Sequence, residues 1–161
     1  MREKCCCFTG HRSIPEGLTE QLQKRLRDGV DYLYEHCGIS VFYAGGALGF
    51  DSLAAEAVID RKRQHPDICL VIVMPCRDQT KRWNAEDVAR YESINSAADK
   101  VICLSEHYYR GCMHQRNRYM VDHSCACICY LTKATGGTAY TVKYAQGKDL
   151  RIFNLAREKA R

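Results

Sequence analysis

Four short segments concentrate the residue types that could hold an anion. They are Thr9-Gly10-His11-Arg12, Gly45-Gly46-Ala47-Leu48-Gly49-Phe50-Asp51, Arg110 through Arg118, and Thr135-Gly136-Gly137-Thr138. Glycine lets a backbone come close to a phosphate and turn through positive φ without a Cβ clash. Where such a turn opens a helix, the first amide N–H groups point outward and the helix dipole favours negative charge. Thr9 and Thr138 can add hydroxyl donors, and Arg12, Arg116 and Arg118 can add charge and forked hydrogen bonds. The expected ligand contacts are therefore Thr9, Gly10, His11 and Arg12; Gly45, Gly46, Ala47, Gly49 and Asp51; Arg116 and Asn117; and Gly136, Gly137 and Thr138. Each piece also has a structural reading. Glycines close most strand-to-helix turns, His11 can satisfy a local bond, and Arg116 and Arg118 can line a solvated helix face. Neither the Walker pattern nor a strict G-x-G-x-x-G is present, so the case rests on convergence of the four segments.

Acid–base chemistry would need a carboxylate near such a site. Asp51 and Glu56 are the candidates, with Asp51 also suited to capping a helix and Glu56 a turn further along. Glu56 is the one catalytic candidate carried forward. Cys76 and Cys112 lie beside loops, but no nucleophile–base–orienter set is readable around them. Trp83, in the segment from Gln79, could stack on a base or simply pack over the sheet edge.

The elements that must position these residues alternate regularly. Short apolar runs at Cys5–Thr9, Ile39–Ala44, Ile68–Met74, Lys100–Leu104, Ala126–Leu131 and Leu150–Asn154 read as strands. Between them lie five amphipathic stretches. In the first, Ser13 and Glu16 have capping-box spacing, Leu18, Leu22, Leu26, Val30 and Leu33 form one stripe, and Gly38 supplies the stop. Asn84 can cap the third helix, the fourth runs from about Cys112 to His123, and Gly136-Gly137 opens the fifth. This pattern predicts a Rossmann-like, doubly wound α/β domain over residues 1–161, with a mainly parallel six-stranded sheet. The expected strand order is 3-2-1-4-5-6, which places the ligand crevice between the loops after strands 1 and 4.

Composition narrows the class. Eleven cysteines in 161 residues could suggest a disulfide framework, but Cys5-Cys6-Cys7 and Cys125, Cys127 and Cys129 fall in apolar strand-like runs. There cysteine acts as a small buried hydrophobe, and a row along a strand is not a tetrahedral metal cage. No metal is expected. The net charge is +5, of which residues 151–161 carry +3, leaving a weak electrostatic footprint for nucleic acid in the remainder. No apolar run approaches the roughly 20 residues that span a bilayer. No membrane association is expected, and the expected location is the cytoplasm.

Taken together, the loops, Pro75-Cys76 with Trp83, Ala54-Ala55-Glu56, Arg116-Asn117-Arg118 with Asp122, and Gly136-Gly137-Thr138 resemble the YpsA/YoqJ-like branch of the SLOG superfamily. That superfamily joins the DNA-processing protein DprA (Smf) with LOG-type nucleotide phosphoribohydrolases. The resemblance, from about Cys6 to Asn154, implies a Rossmann-like fold and a pocket for a nucleotide or nucleotide-derived ligand. It also favours self-association, so a homodimer is a further expectation. Two departures bear on activity. Leu48 stands where the DprA loop G-x-R-G-[IF]-D carries arginine, and Thr141 stands where the LOG motif P-G-G-x-G-T-x-x-E carries its catalytic glutamate. The leading expectation is binding or sensing of a phosphate-bearing nucleotide-type small molecule. Hydrolysis of an N-glycosidic or phosphate bond in such a ligand is one alternative, and DprA-like binding of single-stranded DNA is another.

Overall fold

The computed structural model describes residues 1–156, so Arg157, Glu158, Lys159 and Arg161 of the basic stretch lie outside the described residues. The elements follow in order: β1 (Cys5–Gly10), α1 (Thr19–Cys37), β2 (Val41–Ala44), α2 (Phe50–Arg61), β3 (Cys69–Met74), α3 (Ala85–Ala97), β4 (Lys100–Cys103), α4 (Cys112–Asp122), β5 (Ala126–Tyr130), α5 (Gly137–Gly147) and β6 (Arg151–Asn154). All five strand pairings are parallel. The chain is the expected Rossmann-like α/β fold, with helices on both faces of one sheet.

The strand order differs from expectation: it is β4-β3-β2-β1-β5-β6. The chain steps outward from β1 to β4, then returns across the sheet and lays β5 against β1. Burial explains the choice. β5 (Ala-Cys-Ile-Cys-Tyr) is buried at every position, as a strand flanked on both sides and covered on both faces must be. β4 begins with exposed Lys100 and Val101 and fits an edge. The reversal therefore lies between β1 and β5, and the crevice moves with it, away from the loop after β4.

Two apolar layers hold the sheet. One joins Phe8, Phe42, Leu70, Ile72 and Ile128 to Leu26, Val30 and Leu33 of α1, Ala54 and Val58 of α2, and Ile94 of α3. The other joins Cys7, Val71, Val73, Cys127 and Cys129 to Met120 and Val121 of α4 and Val142 and Ala145 of α5. The cysteine row packs as core, with Cys7, Cys127 and Cys129 in the second layer. Gly38 ends α1 in the left-handed region at φ 68°, and the Asn84 side chain accepts from the Asp87 N–H at 2.8 Å, both as the sequence indicates. The Ser13 cap does not form. Pro15 is extended and is followed by a 3₁₀ turn over Glu16–Leu18, so α1 begins only at Thr19. No helix among the described residues is long and apolar enough to cross a membrane.

Candidate functional site

At the β1/β5 reversal lies a cavity of about 260 Å³ lined by Thr9, Gly10, His11, Arg12, Ala47, Asp51, Met113, His114, Arg116, Asn117, Gly137 and Thr138. Ten of the fourteen residues picked from sequence line it. The loop after β4 does not reach it. Instead α4, crossing back behind the sheet, brings its first two turns there. Met113 and His114 were not singled out from sequence, although they sit three or four residues before Arg116 and Asn117 and so share their helix face.

Gly45, Gly46, Gly49 and Gly136 do not line the cavity; the first three let protein meet protein, and Gly136 supplies a positive φ (102°) ahead of α5. A Cβ at Gly45 would stand 2.5 Å from Arg116 Nη1 and 2.8 Å from Asp51 Oδ2. Gly49 has φ 76°, and a Cβ there would run into the Arg12 backbone carbonyl. The Phe50 N–H donates to the His11 carbonyl at 3.1 Å, so the first two loops are fastened together. Ala47 is pinned from both sides, its N–H donating to Asp51 Oδ2 (3.3 Å) and its carbonyl accepting from Ser52 Oγ (3.2 Å).

Arg116 is not on a solvated face. It is 3% exposed, and its Nη1 donates to the carbonyls of Gly45 and, at 3.4 Å, Val73, which tie α4 to the ends of β2 and β3. Its Nε donates to Asn117 Oδ1 at 2.7 Å; Asn117 Nδ2 donates to Thr141 Oγ1 at 3.0 Å; and that hydroxyl donates to the Gly137 carbonyl at 3.0 Å. Thr141, at the position compared above with a catalytic glutamate, thus closes a hydrogen-bond chain from α5 to the guanidinium.

Burial raises the Asp51 carboxyl above its ordinary range, against the opposing pull of Arg116, the Ala47 N–H and Arg12. Burial likewise lowers Arg116, with Asp51 opposing. Arg12 is exposed and within electrostatic reach of both. His11 is pushed down, first by burial and then by Lys133, and its Nε2 accepts from the Thr132 N–H at 3.0 Å. A ring nitrogen that accepts carries no proton, so the neutral imidazole holds its proton on Nδ1. No side-chain bond caps α2, α4 or α5; the Phe50 N–H that opens α2 donates to the His11 carbonyl and the Cys112 N–H that opens α4 to the Tyr109 carbonyl, whereas Gly137 and Thr138, which open α5, line the cavity. Buried cation, exposed cation, neutral imidazole and the opening turn of α5 together suit an anion.

Other candidates fall elsewhere. Glu56 is not a lining residue; both its oxygens are paired with Arg90, across α2 and α3. This candidate therefore lies apart from the cavity, in an ion pair between two helices. Cys76 is fully buried and its thiol is pushed up to about 12 by burial, with Asp78 and Cys112 adding to the effect. Trp83 packs edge-on against Tyr91 at 5.4 Å. Arg118 donates to the Tyr140 hydroxyl at 2.9 Å, and Asp122 accepts from Tyr144 at 2.7 Å, both between α4 and α5.

With this geometry in place, comparison with known proteins is informative. The YpsA family model, described as the YspA SLOG family, matches residues 6–155. The chain belongs to this SLOG family. It is similar to the uncharacterized SPbeta prophage-derived protein YoqJ of Bacillus subtilis strain 168, at 32% identity over 117 residues, covering 65% of this chain and 68% of YoqJ. The UPF0398 protein YpsA of the same strain is 24% identical over 130 residues, covering 75% of this chain and 72% of YpsA. Among solved structures, the fold matches DNA processing protein A of Helicobacter pylori, described for its single-stranded DNA binding mode. The TM-score is 0.69 at 18% identity, over 98% of this chain and 67% of that one. DprA of Streptococcus pneumoniae gives a TM-score of 0.65 at 17% identity, over 92% of this SLOG chain and 49% of that one.

Proposed function

We propose that this SLOG-family chain binds or senses a phosphate-bearing nucleotide or nucleotide-derived small molecule in the β1/β5 crevice. The observation that carries the reading is the convergence of Arg12, the anchored Arg116 and the opening turn of α5 at Gly137–Thr138 on one cavity. The phosphate sits between Arg12 and the α5 amides, with His11 and Asn117 at its sides. Arg116 lends charge from the floor, and Asp51 offsets it when no ligand is present.

Arg12 is the diagnostic residue. It is exposed and makes no side-chain hydrogen bond among the described residues, so Arg12→Ala removes charge without opening the core. A thermal-shift and calorimetric panel of nucleoside phosphates and ADP-ribose is expected to stabilise the wild type, with affinity falling about tenfold or more in Arg12→Ala. A panel in which nothing binds would end the reading. Turnover is tested on the hits themselves: Asp51 is the carboxylate lining the cavity, so hydrolysis lost in Asp51→Asn with binding retained would turn the binding protein into a hydrolase.

The likeness of fold to the Helicobacter pylori protein supports a second reading, single-stranded DNA binding. It expects oligonucleotide affinity that drops steeply with salt. Leu48 in place of the arginine of the DprA-type loop, and the modest net charge, favour the small molecule.

A further inference from the structure

A cavity of about 260 Å³ lies below the roughly 300–1,000 Å³ of pockets that enclose drug-sized ligands. A phosphate with its sugar is contained there, and whatever the sugar carries must emerge onto the rim. Trp83 is turned against Tyr91, so it does not meet that group. A different pair of rings does.

His114, in the first turn of α4, lines the cavity, and its ring centre lies 4.4 Å from that of Tyr140 on α5, tilted by 59°. Tyr140 is not itself a lining residue but is 42% exposed beside His114. It is nevertheless fixed, because Arg118 Nη1 donates to its hydroxyl at 2.9 Å. The helices behind it are tied by the Tyr144–Asp122 bond. His114 Nδ1 is buried without a hydrogen-bond partner among the described residues. An exposed aromatic face held at both edges is preorganised for another flat ring, since stacking needs area and a fixed plane and loses little conformational entropy.

We infer that His114 and Tyr140 form a ring-binding subsite at the mouth of the cavity, and that the ligand is a nucleoside phosphate whose base lies on Tyr140. The inference rests on the phosphate reading of the cavity. It adds that the base contributes to recognition, so that a sugar phosphate alone is the poorer ligand.

The probes are AMP and ribose 5-phosphate, titrated calorimetrically into wild type, Tyr140→Ala, Tyr140→Phe and Arg118→Ala. Wild type is expected to prefer AMP by about tenfold or more, the scale of one aromatic–base stack. Tyr140→Phe and Arg118→Ala, which each remove the bond that fixes the ring, weaken that preference, and Tyr140→Ala brings the two ligands close to parity without changing the affinity for ribose 5-phosphate. Equal affinities in wild type would overturn the ring subsite and leave the phosphate site standing. Equal loss of both ligands in Tyr140→Ala would do the same. Should Tyr140→Ala fail to fold, Tyr140→Phe and Arg118→Ala decide together, and a preference unaltered in both counts against the subsite. Binding of neither probe would remove the phosphate reading itself, and the ring subsite with it.

Discussion

At the floor of the cavity a guanidinium is held where water barely reaches it. Arg116 keeps its charge there because two carbonyls and the Asn117 side chain accept from it and Asp51 lies close by. Removing one member of such a set leaves the others buried and uncompensated, so Arg116→Ala is expected to cost roughly 3–5 kcal/mol of stability in urea denaturation. Lost binding in that variant would therefore say little, whereas Arg12→Ala speaks to the ligand alone. Asp51 gives a pH signature. Its folded pKa lies above its unfolded value, so the native state holds the proton more tightly, and its contribution to stability is full below about pH 4 and fades as pH rises through the folded value. The stability of wild type relative to Asp51→Asn should accordingly fall between acidic and neutral pH; a difference flat across that window would contradict the burial argument. Gly49→Ala faces both a positive φ and the Arg12 carbonyl, and should lower stability by about 2 kcal/mol or more.

The helices were more legible than the loops. Of the stripe Leu18, Leu22, Leu26, Val30 and Leu33, the last four are buried as their spacing requires, while Leu18 falls in the 3₁₀ turn before α1 and is 40% exposed. The Ser13 cap failed because the capping box is a pattern of residue types, whereas Pro15 and the 3₁₀ turn after it decide where the backbone enters the helix. The composition of the glycine segments suits a phosphate cradle, yet Gly45 and Gly49 serve close approach between loops, a distinction that depends on neighbours distant in sequence. Met113 and His114 were within reach of the i, i+3 and i, i+4 rule once Arg116 and Asn117 were placed on α4. At this scale Thr141→Glu tests the departure from the LOG motif. Thr141 is 2% exposed and bonded to Asn117, so a carboxylate there should destabilise the fold by about 2 kcal/mol or more in thermal or urea unfolding and should not create turnover. Glu56→Gln, by contrast, breaks a partly exposed pair between α2 and α3. It should change stability by less than about 1 kcal/mol and leave ligand affinity where it was.

Across the whole molecule, alternation of strands and helices in the sequence was sufficient for the fold class, and strand order was not. Every parallel βαβ unit looks alike locally; what separates β4 from β5 is that one must tolerate solvent and the other must be apolar on both faces. Lys100 at the head of β4 and the unbroken Ala126–Tyr130 run carried that information, and weighing them would have moved the reversal to its observed place. The site nonetheless came together, because α4 recrosses the sheet and delivers Arg116 to the loops of β1 and β2. The decisive property is whether that meeting point takes a phosphate-bearing ligand. The most direct measurement is an amide-resolved NMR titration of wild type and Arg12→Ala with AMP. Saturable shifts centred on Gly10–Arg12, Ala47, Met113–Asn117 and Gly137–Thr138 are expected, weakened about tenfold or more by Arg12→Ala. Saturable shifts centred elsewhere, or no shifts at millimolar AMP, would contradict the phosphate reading.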